Sequence, residues 1–71
     1  MIQNLTPATL KLAQRIREEF DEIPGLQVNV SEGARFWALD SPTCACVLTH
    51  LHESGFLILA RDGRYRRAQI I

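Results

Sequence analysis

The stretch that decides the fold runs from Thr43 to Tyr65, TCACVLTHLHESGFLILARDGRY. Its pattern changes at Gly55. Before that glycine, Cys44, Leu48 and Leu51 recur at three- and four-residue intervals, the period of a helix with one apolar face. Pro42 suits the first turn of that helix, with Asp40 or Ser41 as its cap, so the pattern predicts a helix over about 42–53 with Gly55 as its stop. After Gly55, "FLILAR" is too apolar and too rich in β-formers for a loop. Asp62-Gly63 reads as a type I′ turn, and "RYRRAQII" can return beside the first run. The second half therefore predicts a β-hairpin over about 56–69.

Working outward towards the N-terminus, Thr6-Pro7 is a second cap and first-turn pair. Leu10, Ala13, Ile16 and Phe20 follow at helical spacing, with Lys11, Arg15, Glu18, Glu19 and Glu22 on the other faces, which gives a helix over about 7–22. Pro24 disfavours helix at Ile23, and Gly25 suits a turn. Leu26-Gln27-Val28 alternates like a very short strand. Asn29 with Glu32 three residues on has the form of a capping box, and Ala34, Trp37 and Ala38 supply the inner side of a helix over about 30–38. Gly33 weakens that helix by about 1 kcal/mol relative to Ala. Phe36 and Trp37 are adjacent, so only one of them can face inward, and core packing explains the pair better than a base-stacking platform.

The chain has 71 residues, 46% hydrophobic and 23% charged, a composition that suits one small folded domain over 1–71 and not a disordered chain. It has no apolar run long enough to cross a bilayer and no signal-peptide pattern, which leads to the expectation of a cytoplasmic protein with reduced thiols and no membrane partner. The eight Lys and Arg balance eight Asp and Glu, but they are unevenly placed. Residues 1–40 carry four cations against six anions, and residues 41–71 carry four against two. The latter four are Arg61, Arg64, Arg66 and Arg67, all inside the expected hairpin.

Helix, short strand, helix, tight turn, helix and hairpin form an order that resembles a winged helix-turn-helix domain. The resemblance covers about Thr6 to Ala68. It rests on Ala34 and Leu39 around the turn between helices, on Ser41-Pro42-Thr43 opening the third helix, and on Leu48, Leu51 and Gly55-Phe56-Leu57 leading to Asp62-Gly63. "CVLTHLHESGFLILARDGRY" is also similar to small bacterial winged-helix proteins. Ala38 stands where many members of the family have Gly. The resemblance implies an α+β fold, mostly α: three helices, a short strand and a C-terminal hairpin as the wing. It also implies double-stranded DNA as partner, in the manner of a small transcriptional regulator or DNA-associated accessory factor.

By that pattern the third helix enters the major groove and presents Ser41, Thr43, Ala45, Cys46, Thr49 and His50, while Arg61, Arg64, Arg66 and Arg67 of the wing meet the phosphate backbone. No Arg, Lys, Asn or Gln lies between Ser41 and Glu53, so the side chains that read G and A most strongly are missing from that helix. A homodimer would supply a second half-site. The alternative is a protein-interaction module using the same helix, favoured by the neutral net charge. The arginine cluster can also be read as a charged hairpin edge that resists strand addition. Ile70-Ile71 is an apolar end that either extends the wing or contributes to a dimer.

The cysteines and histidines, Cys44, Cys46, His50 and His52, invite a metal reading. On a helix, with Cys44 at zero, Cys46 falls at about 200°, His50 at about 240° and His52 at about 80°. Only Cys46 and His50 share a face, so the four cannot converge on a tetrahedral ion. Cys44 and Cys46 diverge too far for a disulfide within the helix. Cys44 belongs to the apolar face with Leu48 and Leu51, and Cys46 is expected to be exposed. A two-ligand site shared with a second subunit, or a redox-sensing Cys46, are the remaining chemical readings; no metal and no cofactor are expected. No nucleophile–base arrangement, paired carboxylates or glycine-rich phosphate loop is evident, so no enzyme and no catalytic residue are expected.

Overall fold

The computed structural model describes residues 6–68. Its elements are α1 (Pro7–Glu22), β1 (Gln27–Val28), α2 (Val30–Phe36), α3 (Ser41–Glu53), β2 (Leu57–Leu59) and β3 (Tyr65–Arg67). The protein is thus α+β and mostly helical, with three helices and an antiparallel sheet in the order β1-β3-β2. No helix among the described residues is long and apolar enough to cross a membrane. Residues 69–71, including the apolar pair Ile70-Ile71 and the expected end of the hairpin, lie outside the described residues.

Each helix starts where its sequence places a cap. The Thr6 side chain accepts from the Thr9 N–H at 3.1 Å, with Pro7 in the first turn of α1. Ala13, Ile16 and Phe20 form its buried stripe. Leu10 does not join them: it stands about 90° from the centre of that stripe and is exposed, while Leu12 packs at the core's edge. Pro24 and Gly25 then make the chain reverse. Leu26 N–H donates to the Ile23 carbonyl at 3.1 Å with Gly25 at φ 82°, the geometry of a type II turn. Asn29 and Glu32 form the reciprocal capping box that opens α2, at 2.7 and 3.0 Å.

The helix expected over 30–38 ends at Phe36. Leu39 N–H bonds the Ala34 carbonyl at 2.8 Å and Ala38 N–H approaches the Arg35 carbonyl at 3.4 Å, the paired bonds of a Schellman cap. Such a cap needs a left-handed residue, and Ala38 fills the position at φ 56°. Ala38 is therefore exposed in a turn and not on an inner helical face. Only there does the missing glycine matter, because a Cβ in that region costs about 1 kcal/mol. The end of α3 uses the same device with its usual residue: Phe56 N–H to the Leu51 carbonyl at 3.0 Å, Gly55 N–H to the His52 carbonyl at 3.1 Å, and Gly55 at φ 88°.

Gly33 has a packing role that its helix propensity hides. A Cβ there would lie 2.9 Å from Cζ3 of Trp37 and 3.0 Å from Sγ of Cys44. The absent side chain lets the indole lie over α2 and lets α2 approach α3. Trp37 also meets Phe20, with ring centroids 5.9 Å apart, while Phe36 is 55% exposed. Trp37 is thus the inward member of the pair. Its Nε1 is buried without a hydrogen-bond partner in the described residues.

α3 is the central helix, packed on α1, α2 and β2. Cys44, Val47, Leu48 and Leu51 are buried along it, joined in one core by Ile16, Phe20, Val28 and Leu57. The hairpin pairs Leu57 with Arg67, Ile58 with Arg66 and Leu59 with Tyr65. Its turn is not the type I′ form. Gly63 N–H bonds the Ala60 carbonyl at 3.0 Å, Ala60 N–H bonds the Arg64 carbonyl at 2.8 Å, and of the turn residues only Gly63 has positive φ. This is a type I turn followed by a left-handed glycine, a three-residue loop. Asp62 favours it by accepting the Arg64 N–H at 3.0 Å instead of adopting the left-handed conformation itself.

Candidate nucleic-acid interface

The six α3 positions expected to face outward do lie off the buried stripe, but they are not a freely exposed row. Ser41 is exposed, whereas Thr43, Ala45, Cys46, Thr49 and His50 are half-buried. Thr43 is occupied within the protein. Its hydroxyl donates to Asp40 Oδ1 at 2.8 Å, and its N–H approaches Oδ2 at 3.4 Å. These bonds, the hydroxyl's first, hold the Asp40 carboxyl below the usual carboxylate range. The first turn of α3 therefore carries a fixed anion beside its N–H groups. Cys46 is half-buried instead of exposed, and Cys44 is fully buried, which pushes its thiol pKa up. Both are free thiols. Among the described residues, no three His, Cys, Asp or Glu side chains come together as a metal-binding group.

The four hairpin arginines divide into two pairs. Arg64 is held by Glu32 of α2 in a two-point contact, Nε to Oε1 at 3.0 Å and Nη2 to Oε2 at 2.8 Å, with Asp62 at 3.8 Å. Glu32 Oε1 also accepts the Asn29 N–H, so one carboxylate caps α2 and fastens the hairpin to it. The bond from Arg64, then that from Asn29, holds the Glu32 carboxyl below its ordinary range, and Glu32 in turn raises the Arg64 guanidinium. Arg67 pairs with Asp21 of α1 at 3.0 Å and lies over the Phe56 ring at 5.4 Å, which also carries Arg17 at 4.7 Å. Arg61 and Arg66 are exposed and have no ion-pair partner among the described residues.

The register separates Arg67 from Arg66, whereas Arg64 precedes β3 in the turn. Arg67 lies opposite Leu57, on the face turned to the core, so it reaches α1. Arg66 lies opposite Ile58 and between it and Gln27, on the other face. Arg61 projects from the turn. Glu32, Asp21, Arg17 and Phe56 shape the charge of the hairpin, and sequence reasoning did not find their roles. The Arg64–Glu32 contact spans 32 positions, and no local spacing signals it. An open groove of about 430 Å³ lies beside Arg67, between the end of α1 and the sheet, with Phe20, Ile23, Leu26 and Arg66 in its walls. Its acidic group is Asp21, already engaged by Arg67.

Comparison of the chain with protein-family models, with curated proteins and with solved structures finds no match.

Proposed function

We propose that this chain is a winged-helix DNA-binding protein, a small regulator or DNA-associated accessory factor, with α3 directed to the major groove and the β2–β3 hairpin as its wing. The element order and the β1-β3-β2 sheet fit that architecture. The observation that carries the reading is the pair of exposed guanidinium groups, Arg61 and Arg66, on the hairpin that follows α3, neither with an ion-pair partner among the described residues. Phosphate contact gives affinity and register, and base contact gives sequence preference. The wing has groups for the first. For the second, α3 offers Ser41, Thr49 and His50, with Thr43 tied to Asp40. Modest sequence preference and marked salt dependence are the expected combination. The test is binding of mixed-sequence duplex DNA across a salt series: affinity should fall as salt rises. Absence of binding at low salt would overturn the proposal.

A protein-interaction role is the second reading, and one feature favours it. The outward strip Ala45, Cys46, Thr49 and His50 has small or weakly polar side chains and no formal charge, beside the anion of Asp40. Such a strip suits a protein surface better than a polyanion. A partner held by α3, with binding unaffected by salt and by Arg61→Ala plus Arg66→Ala, would select that role.

A further inference from the structure

We propose that the outer edge of β2 is a self-association edge, through which two copies of this chain pair antiparallel about Ile58. The inference does not depend on DNA binding. Among the described residues, the sheet order β1-β3-β2 leaves one side of β2 without a neighbouring strand. The register and the flanking bonds show which groups that side presents. Ala68 N–H bonds the Phe56 carbonyl at 2.9 Å and Ala60 N–H bonds the Arg64 carbonyl at 2.8 Å, so Phe56, Ile58 and Ala60 direct their backbone groups towards β3. By the alternation of an antiparallel ladder, Leu57 and Leu59 direct theirs to the open side. One contact agrees: the Leu57 carbonyl is met by His52 Nδ1 of α3 at 3.1 Å, not by a strand.

β2 is short, three residues, but it lacks the charged and proline residues that usually guard an edge strand. No charged residue and no proline occurs from Ser54 to Ala60, and the cations of the hairpin sit in the turn and on the inner strand β3. Leu59 is 48% exposed at that edge. A second copy fits it better than an unrelated strand because Leu57-Ile58-Leu59 reads the same in both directions. Antiparallel pairing about Ile58 sets Leu57 opposite the second copy's Leu59, and Leu59 opposite the second copy's Leu57. Each pair exchanges two backbone bonds, and each half-exposed Leu59 gains an apolar neighbour. No charge is buried. The two Arg61 side chains fall at opposite ends of the ladder, about 20 Å apart, each towards the end where the other copy's α3 closes with Glu53.

His52 acts against this pairing. Its ring occupies the Leu57 carbonyl and packs edge-on to Tyr65 at 6.0 Å, so it must leave that acceptor before the second copy's Leu59 N–H can take it. The association is therefore weak and concentration-dependent. Sedimentation equilibrium from micromolar to millimolar protein tests it. The wild-type chain should pass from monomer to dimer at the upper end. Leu59→Pro removes an N–H that bonds no other described residue and should leave only monomer. Leu59→Lys should weaken dimerisation too, and it serves where Leu59→Pro disturbs folding by circular dichroism. His52→Ala should move the midpoint to roughly thirtyfold lower concentration, the effect of one competing hydrogen bond in each of the two chains. Monomer throughout for both wild type and His52→Ala would overturn the inference, as would a dimer unchanged by both Leu59 substitutions.

Discussion

The α2–α3 corner and the hairpin are built on opposite principles. The corner is a steric fit: Gly33 leaves room for Trp37 and Cys44, and Ala38 turns the chain in a left-handed conformation. The hairpin is a charge arrangement, with Arg64 and Arg67 committed to Glu32 and Asp21 and with Arg61 and Arg66 left to solvent. Changes at the corner should therefore appear as stability, and, under the proposed function, changes at Arg61 and Arg66, which have no ion-pair partner among the described residues, as DNA binding.

The largest stability effect is expected from Gly33→Ala. The new methyl meets a rigid indole and a buried sulfur, and overpacking of this kind costs about 1–3 kcal/mol, more than the helix propensity gained. Thermal unfolding should show a midpoint lower by several degrees; an unchanged or higher midpoint would remove the steric account of the corner. Ala38→Gly should act in the opposite direction, stabilising by about 1 kcal/mol through relief of the left-handed alanine. A loss of stability there would mean that the Ala38 methyl contributes more than its conformation costs.

Acid sharpens the comparison on the hairpin side. Glu32 and Asp40 have lowered pKa values in the folded protein, so their contribution is fully present above the ordinary carboxylate range. It is lost as pH falls through the lowered folded values. Both groups lie at the surface, so the effect should be modest. Denaturant midpoints measured from neutral to acid pH should decline, and Glu32→Gln should make that decline shallower while lowering the midpoint slightly at neutral pH. A decline as steep in the variant as in the wild type would show that Glu32 is not part of it. The smallest expected change is chemical. A thiol reagent at neutral pH should modify Cys46 and spare Cys44 until the protein unfolds.

The helices were legible in sequence because their ends are written locally. Thr6-Pro7, the Asn29/Glu32 box, Asp40 and Gly55 all act within a few residues of themselves. The hairpin was legible as a pair of strands, since "FLILAR", Asp62-Gly63 and "RYRRA" are strong signals. What escaped was set by distance or by competing local bonds. The α2 end moved because the Ala34–Leu39 bond closes a cap on an alanine, and the turn changed type because Asp62 caps Arg64 instead of turning left-handed. Half of the expected phosphate contacts proved committed because Glu32 and Asp21 lie far from their arginines in sequence. The outward positions of α3 followed from helical angle alone, but their partial cover did not.

The central proposal, that the exposed arginines of the wing hold DNA phosphate, is tested most directly by the salt dependence of duplex binding. Wild type should be compared with Arg61→Ala plus Arg66→Ala. The wild type should bind with a negative slope of log affinity against log salt. The double variant should bind more weakly, with a slope shallower by about 2, while its thermal midpoint stays the same. No binding at low salt, or an identical slope in the two proteins, would contradict it.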